Sequence, residues 1–405
     1  MKIGKFAETN RLSIDAVRHY IDLGLVVPEK KGGQYVFDNR CQEDLKLIRE
    51  YKELGFSLNE MKLIFLYRKF GSLAGYEQED AYQAFFRDKY QRTGEEIEVL
   101  ERARLKLKER IDQFRGEAGK TDRQTGINLR WLDLLNCPVC RGPLTLEEGE
   151  VIRNQVTGGR MVCSCGESFV IQDGILIAGG LDRGHEQSLL AADIPGYIQE
   201  TDAGYLENLH KGLQWGERKL AEQNLHGKVM LELGSGIGFF LRYIYKALPQ
   251  DSLYIAVDHS LGKHRFLKGL LDRVDGGPPI LYICADFLNI PLKQRSVDMV
   301  VDHSGTSNYS FEHEAFLLRE VDELVKDSSL LLGSYICFNR FSSGSRIEAQ
   351  YRHNFIARNI LQNIQELGYT TVEDRLLEPV GRGGKYENFF VEGEEVVPYL
   401  YIGKR

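Results

Sequence analysis

Hydrophobic positions change their period repeatedly along the chain, and each change marks a different kind of element. Apolar residues within 3–7 recur at helical spacing and precede the polar turn Glu8-Thr9-Asn10-Arg11. Ser13 suits the N-cap of a second helix over 14–23, which Gly24 ends. Pro28-Glu29-Lys30-Lys31-Gly32-Gly33 and Gln34-Tyr35-Val36-Phe37 read as a turn flanked by short extended stretches. Helices over 42–54 and 58–69 follow, split at Gly55-Phe56-Ser57, with Ser57 as another N-cap. Residues 77–116 then contain no proline. Within them Phe86, Tyr90, Thr93, Ile97, Leu100, Arg104, Leu107, Ile111 and Phe114 alternate steps of four and three, a mostly apolar heptad seam in a helix that also contains the weak helix former Gly94.

Beyond residue 225 the pattern becomes that of buried strands. Val229-Met230-Leu231-Glu232-Leu233 leads into Gly234-Ser235-Gly236-Ile237-Gly238 and a helix over 239–248. Further strands are expected over 253–258, 280–284 and 297–302, the last followed by a polar loop over 303–314. A fifth covers 329–336, and the stretches 386–391 and 398–402 read as a final antiparallel pair.

A chain of 405 residues is too long for one ordinary core, so two or three domains are expected. Hydrophobic residues at 42% and charged residues at 27% fit globular protein. No apolar run reaches eighteen residues and no signal peptide is visible, which points to the cytoplasm and away from a membrane. The net charge of −7 argues against a protein that coats nucleic acid. Residues 1–75, however, carry 13 Lys+Arg against 10 Asp+Glu, a balance of +3 that leaves −10 for the remainder. That is a slightly basic head on an acidic body.

Three groups of residues carry chemistry. Two short helices joined by a tight turn form a helix-turn-helix pattern, whose second helix enters the DNA major groove; a helical protein-interaction module is the alternative. Cys137-Pro138-Val139-Cys140 and Cys163-Ser164-Cys165 place four cysteines within thirty residues, a four-cysteine site for Zn2+ with a shortened second spacer, or a degenerate remnant of one. The glycine loop 234–238 lets backbone approach a ligand, and Asp258, twenty residues past Gly238, is placed to accept hydrogen bonds from ribose hydroxyls.

The first seventy residues closely resemble the MerR family of winged-helix regulators, on the strings Val17-Arg18-His19-Tyr20-Ile21-Asp22-Leu23-Gly24-Leu25, Gln34-Tyr35-Val36-Phe37-Asp38 and Leu54-Gly55-Phe56-Ser57-Leu58-Asn59-Glu60-Met61. The resemblance implies that Ser13, Arg18, Tyr20, Lys30, Lys31 and Tyr35 lie near the phosphates or bases of double-stranded promoter DNA. It also implies a homodimer through an antiparallel coiled coil of the 76–117 helix, with packing on the chain's own C-terminal part as the alternative. The family wing usually reads Gly-Tyr-Arg, whereas this chain has Gly33-Gln34-Tyr35. Metal-sensing members place cysteines near the long helix, and none occurs here between Cys41 and Cys137.

Residues 135–177 resemble zinc ribbons found beside some methyltransferases, including a bacterial group that modifies guanine in ribosomal RNA. The ladder over 227–333 closely resembles class I S-adenosylmethionine-dependent methyltransferases, whose fold is a mostly parallel seven-stranded sheet with helices on both faces. Carried over, Glu232, Gly234, Ser235, Gly236 and Gly238 would hold the methionine end of the cofactor. Asp258 would bind the ribose with His259 and Ser260 beside it, and Asp286 with Phe287 would frame the adenine. No Asn/Asp-Pro-Pro-Tyr string follows the fourth strand, and no cysteine ends it, which disfavours the usual DNA methylation chemistries. His303 is the candidate general base and Tyr309 a positioning group, with a purely structural role for both as the alternative. Tyr197, Tyr205, His210, Trp215 and Arg218 form either a lid or ordinary helix packing.

The expected architecture is therefore multidomain: an all-α winged helix-turn-helix head (1–75), a coiled-coil helix (76–117), a zinc ribbon (130–180) and an α/β Rossmann-like class I methyltransferase domain (185–405). The leading functional expectation is a MerR-like regulator whose effector domain binds S-adenosylmethionine and methylates a small molecule. The alternatives are an RNA or metabolite methyltransferase whose head serves localisation or dimerisation, and a non-catalytic cofactor sensor.

Overall fold

The computed structural model describes residues 1–70, 76–117, 125–179, 194–387, 389 and 391–405. The chain divides into two compact units, Met1–Glu117 and Ala118–Arg405.

In the first unit, helix α1 (Ile3–Thr9) turns through Asn10, whose amide donates to the Phe6 carbonyl at 2.8 Å, into α2 (Ile14–Asp22). Ser13 caps α2 by accepting from the Ala16 amide at 3.1 Å. Strands β1 (Glu29–Lys31) and β2 (Gln34–Val36) form an antiparallel hairpin, and Gly32 and Gly33 close its two-residue turn at φ +57° and +81°. Two successive left-handed residues are what such a tight hairpin demands. Helix α3 spans Asn39–Glu53, starting three residues before the expected 42 because Asp38 accepts from the Cys41 amide and caps it. Helix α4 (Leu58–Phe70) opens on a reciprocal cap: the Ser57 amide donates to Glu60, and the Glu60 amide to Ser57. Phe6, Val17, Tyr20, Leu25, Phe37, Ile48, Met61 and Ile64 fill the core beneath.

Helix α5 (Asp80–Glu117) runs unbroken through Gly94. Its first turns dock on this core, with Tyr82 and Phe86 packed against Tyr51 at hydrogen-bond and ring-contact distance. From Tyr90 onward the seam has no cover among the described residues of the first unit. Leu100 is 68% and Leu107 65% exposed, and Ile97, Ile111 and Phe114 are exposed as well.

The second unit is built on one continuous twelve-stranded sheet. Its centre is β8 (Val229–Leu233), with every residue buried. The sheet runs outward from β8 in one direction through β9 (Leu253–Asp258) and β10 (Ile280–Ala285), and in the other through β11 (Val297–His303) and β12 (Val325–Arg340), all parallel. Strand β14 (Glu395–Lys404) then pairs antiparallel with both β12 and β13 (Thr370–Leu376). This is the doubly wound sheet with a topological switch beside β8 that the class I methyltransferase pattern predicts. Helix α6 (Ile194–Glu200) precedes α7 (Ala203–Ala221). Together with α7, helices α8 (Phe239–Ile244), α9 (Leu261–Leu271) and α10 (Ala357–Glu366) cover the two faces of the sheet.

Two expectations are corrected. The partner of β14 is β13, whose Thr371 and Glu373 are half-buried at the sheet edge; of the expected 386–391, residues 388 and 390 lie outside the described residues, and Glu387 is turned into a buried contact of its own. The fifth strand is also twice its expected length, since β14 pairs with it as far as Arg340.

The cysteine-bearing segment joins the same sheet. β4 (Leu144–Ile152), β5 (Gln155–Cys163), β6 (Ser168–Gln172) and the short β3 (Ile127–Asn128) form an antiparallel ribbon. Strand β7 (Ile175–Ala178) pairs antiparallel with β6 and parallel with β10. The ribbon thereby covers the β10 edge, which would otherwise present unpaired backbone groups.

Candidate functional site

Four sulfurs converge at the tip of the ribbon. All four Sγ atoms of Cys137, Cys140, Cys163 and Cys165 lie within 4.8 Å of one another. Cys137 and Cys165 are 3.7 Å apart, and Cys140 and Cys163 are 3.3 Å apart. Tetrahedral Zn2+ with bonds of about 2.3 Å separates its sulfur ligands by about 3.8 Å, so the cluster fits a structural zinc. The one-residue spacer of the second pair is accommodated by Gly166 at φ +99°, whose amide donates to the Cys163 carbonyl and closes a tight turn. Four thiolate ligands would leave no position open, so a metal bound here would hold the ribbon together.

The loop after β8 carries the second site. Gly234, Gly236 and Gly238 all take left-handed backbone, at φ +71°, +55° and +78°. A Cβ at Gly234 would come within 3.2 Å of the Gly305 Cα and 3.6 Å of the Phe287 ring. A Cβ at Gly305 would sit 2.3 Å from the Leu233 carbonyl oxygen. The loops after β8 and β11 therefore interlock through glycines. We expect Gly305→Val to destabilise the protein by about 1–3 kcal/mol through overpacking, measured by urea unfolding.

Asp258 ties this loop to the end of β9. Its Oδ2 accepts from the Gly236 amide and its Oδ1 from the Ser260 amide, both at 2.9 Å, and Lys263 Nζ approaches to 3.9 Å. Ser260 caps α9 through the Lys263 amide, and His259 stands exposed beside it. Asp286 follows β10 and accepts from the Leu288 amide, and the Phe287 ring meets Tyr309 edge-on at 6.2 Å. Beneath the loop, Glu232 is buried with Oε2 lacking any hydrogen-bond partner, and the Ser235 hydroxyl is likewise unpartnered. Burial, reinforced by the charge of Asp258, pushes the Glu232 carboxyl up to about 8. A cradle of left-handed glycines above orphaned buried acceptors fits the ammonium-bearing end of S-adenosylmethionine.

The structure separates His303 from Tyr309. The His303 ring stacks on Phe240 at 5.5 Å and lines a small cleft with Trp215, Gly216 and Leu332. Tyr309 packs over the opposite core and stacks on His313 at 3.9 Å. Burial pushes His303 down to about 4, so it is neutral and a weak base at neutral pH. Between them Asp302, overlooked in the sequence, is fully buried. Its Oδ1 accepts from the Thr306 amide at 2.9 Å, its Oδ2 is unpartnered, and burial pushes it up to about 6. The signal available was an acid closing an apolar strand, the same signal that marked Asp258.

The expected lid residues divide. Trp215 is buried in α7 and donates to Glu373 at 3.0 Å, which makes it packing. Tyr197, on α6, meets Phe239 at 5.8 Å, immediately beside the glycine loop. His210 meets Tyr243 edge-on, and Arg218 donates to the Gln214 carbonyl in its own helix.

In the first unit, Arg18 is exposed on α2 and pairs with Asp15 at 3.3 Å, while Lys30, Lys31 and Tyr35 are exposed on the hairpin. Lys31 pairs with Glu29 at 2.8 Å, and Lys30 lies over the Tyr35 ring. Tyr20 departs from this group. Its ring is 5% exposed in the core, and its hydroxyl accepts from Lys52 at 2.7 Å.

Residues 1–67 match the family profile described as MerR HTH family regulatory protein, and residues 128–174 match Trm112p-like protein. The head is thus a MerR-type helix-turn-helix domain and the ribbon a Trm112-like zinc-ribbon region. No relative is found among curated protein sequences. Among solved structures the chain is similar to the MccD protein, at 14% identity and TM-score 0.37 over 47% of this chain and 96% of that one. It is similar to a SAM-dependent methyltransferase from Aquifex aeolicus, at 15% identity and TM-score 0.32 over 52% and 94%. It is also similar to phosphoethanolamine N-methyltransferase 2 from Haemonchus contortus, at 12% identity and TM-score 0.35 over 47% and 52%. The fold assignment rests on the strand order and the glycine loop described above. The chain joins a MerR-type DNA-binding head to a methyltransferase-fold domain. Among the described residues, no helix is long and apolar enough to cross a membrane.

Proposed function

We propose that this protein is a dimeric, MerR-like transcription regulator whose effector domain binds S-adenosylmethionine and transfers its methyl group to a small molecule. The observation that carries the cofactor reading is Asp258, which clamps the left-handed glycine loop through the Gly236 amide while anchoring the Ser260 turn. Glu232 and Ser235 would hold the methionine end, Asp258 the ribose, and Asp286 with Phe287 the adenine. The bound cofactor supplies an electrophilic methyl on a sulfonium. The chain's part is to align that carbon with an acceptor and exclude water, which is where most of the acceleration of such an in-line displacement arises. Tyr309, beside Phe287, would line the acceptor, whereas His303 lies on the other side of β11 against Phe240, so the two would not form a proton-transfer pair.

DNA reading would fall to Arg18, with Ser13 fixing the start of α2, and to Lys30, Lys31 and Tyr35 on the hairpin as a wing. The uncovered seam of α5 would pair antiparallel with that of a second copy, giving the two-fold symmetry a palindromic site requires. Cofactor or acceptor binding would bias the grip on promoter DNA only if the two DNA-related states bind these ligands unequally.

The raised Glu232 provides a test. It is protonated in the free protein at pH 7, and an ammonium placed beside it favours the anion, so cofactor binding should release a proton. Calorimetry at pH 7 in buffers of different ionisation enthalpy should register up to about one proton released per site, and none in Glu232→Gln. The same sign makes the free protein lose stability as pH rises from the ordinary carboxylate range through about 8, a slope absent from Glu232→Gln. Binding without proton release would detach Glu232 from the methionine end.

A further inference from the structure

At the end of the sheet opposite the glycine loop, a cleft opens where the ribbon meets β9 and β10. It gives the centres of water molecules about 70 Å³ of room, against about 10–15 Å³ for a single water. Its apolar walls are Ile127 of β3, Trp131 of the short turn Leu129–Leu134, Leu253 opening β9, Leu271 closing α9 and Ile280 opening β10. The polar groups on the wall are unevenly used, and the acceptors are taken. Asp272, the charged residue that lines the cleft, receives the Thr125 hydroxyl on Oδ1 and Lys268 Nζ on Oδ2, the latter at 2.6 Å. The side-chain oxygen of Gln155 accepts from the Gly126 amide, and that of Asn128 from the Arg130 amide at 3.1 Å. The donors are left over. The Trp131 indole N–H is buried without a partner, and the side-chain amides of Gln155 and Asn128 donate to nothing among the described residues. Tyr245 and Tyr282 add hydroxyls able to donate or accept. A buried donor without an acceptor is costly, and a pocket whose one charge is already matched disfavours an ion.

We propose that this cleft is a second small-molecule site, and that it takes a neutral, mostly apolar compound bearing a carbonyl oxygen, such as a ketone, lactone or quinone. The carbonyl accepts from the Trp131 N–H, with the Gln155 or Asn128 amide as a further donor. The hydrocarbon part packs on Ile127, Leu253, Leu271 and Ile280. Its occupant is neither the cofactor nor the methyl acceptor. Leu253 and Asp258 stand at opposite ends of β9, about 16 Å apart at about 3.3 Å per residue, whereas methyl transfer requires contact. The assignment stands whether or not the glycine loop binds S-adenosylmethionine.

The test is a calorimetric titration of acetophenone, and separately of its carbonyl-free isostere isopropenylbenzene, into the full chain. Acetophenone should bind about tenfold more tightly than the hydrocarbon, the margin of one hydrogen bond to an otherwise orphaned donor. Trp131→Phe keeps an aromatic wall and removes the N–H. It should therefore remove about tenfold of the acetophenone affinity and leave that of the hydrocarbon unchanged. Ile280→Phe should fill the cleft and exclude both compounds, and a variant that still binds them would place the site elsewhere. No binding of either compound, equal affinity for the two, or acetophenone binding unchanged in Trp131→Phe would overturn the proposal. Saturating S-adenosylhomocysteine should leave acetophenone binding in place, and competition between them would show that the cleft is not a separate site.

Discussion

Stripping the metal from the four-cysteine cluster, or replacing Cys137 with Ser, should lower the melting temperature of the whole second unit by at least about 10 °C. Structural zinc in isolated finger peptides is worth about 10–16 kcal/mol of apparent binding free energy, and here the folded chain presents its four sulfurs already gathered. Cys137 and Cys163 are buried, so without metal their thiols sit in a core shaped for thiolates on an ion. The consequence should spread. β5 and β6 connect the cluster to β7, and β7 is hydrogen-bonded along β10 from Ile175 to Ala178. Metal analysis should give one zinc per chain, and melting with and without chelator should show a single transition moving as a whole. A ribbon that melts separately, leaving the sheet unchanged, would contradict this coupling.

Placing a charge on the α5 seam should have the largest effect on DNA binding. Leu100→Glu or Leu107→Glu alters a side chain already about two-thirds exposed in the single chain, so monomer stability should change little, within about 0.5 kcal/mol. In an antiparallel dimer each substitution buries two unpaired charges in the seam, one from each copy, which is strongly unfavourable. Sedimentation should show the wild type as a dimer and the variant as a monomer. Affinity for a two-fold promoter site should then fall by at least about a hundredfold, because two half-site contacts no longer act together. A dimeric variant with unchanged affinity would place the dimer contact elsewhere.

Much of this was legible in the residues because local rules decided it. Ser13 before an apolar helical run, Gly32-Gly33 between short extended strings, and Gly234, Gly236 and Gly238 after a buried strand each have one physical use, and the backbone adopts it. The four cysteines likewise converge despite the short spacer, because Gly166 supplies the turn.

What stayed hidden depends on contacts between distant residues. Nothing local marks Glu387 as a buried acid, since its partner Thr201 lies 186 positions away, and the aromatic run around it imitates a strand. Tyr20 shares a string with Arg18 but lies two positions on, so the helix turns it into the core. The charged, alternating segment Thr370–Leu376 reads as surface, and only its pairing with β14 makes it a strand. His303 and Tyr309 are close in sequence, yet the end of β11 sends them to different sides of the sheet.

The central claim is that the second unit binds S-adenosylmethionine in the loop closed by Asp258. Calorimetric titration of S-adenosylmethionine into the full chain, beside Asp258→Ala, tests it directly. The account predicts saturable binding in the micromolar range that Asp258→Ala abolishes, in a second unit that still unfolds cooperatively above the assay temperature. No heat of binding in the wild type, or equal affinity in the variant, would contradict it and leave a methyltransferase fold that answers to some other ligand.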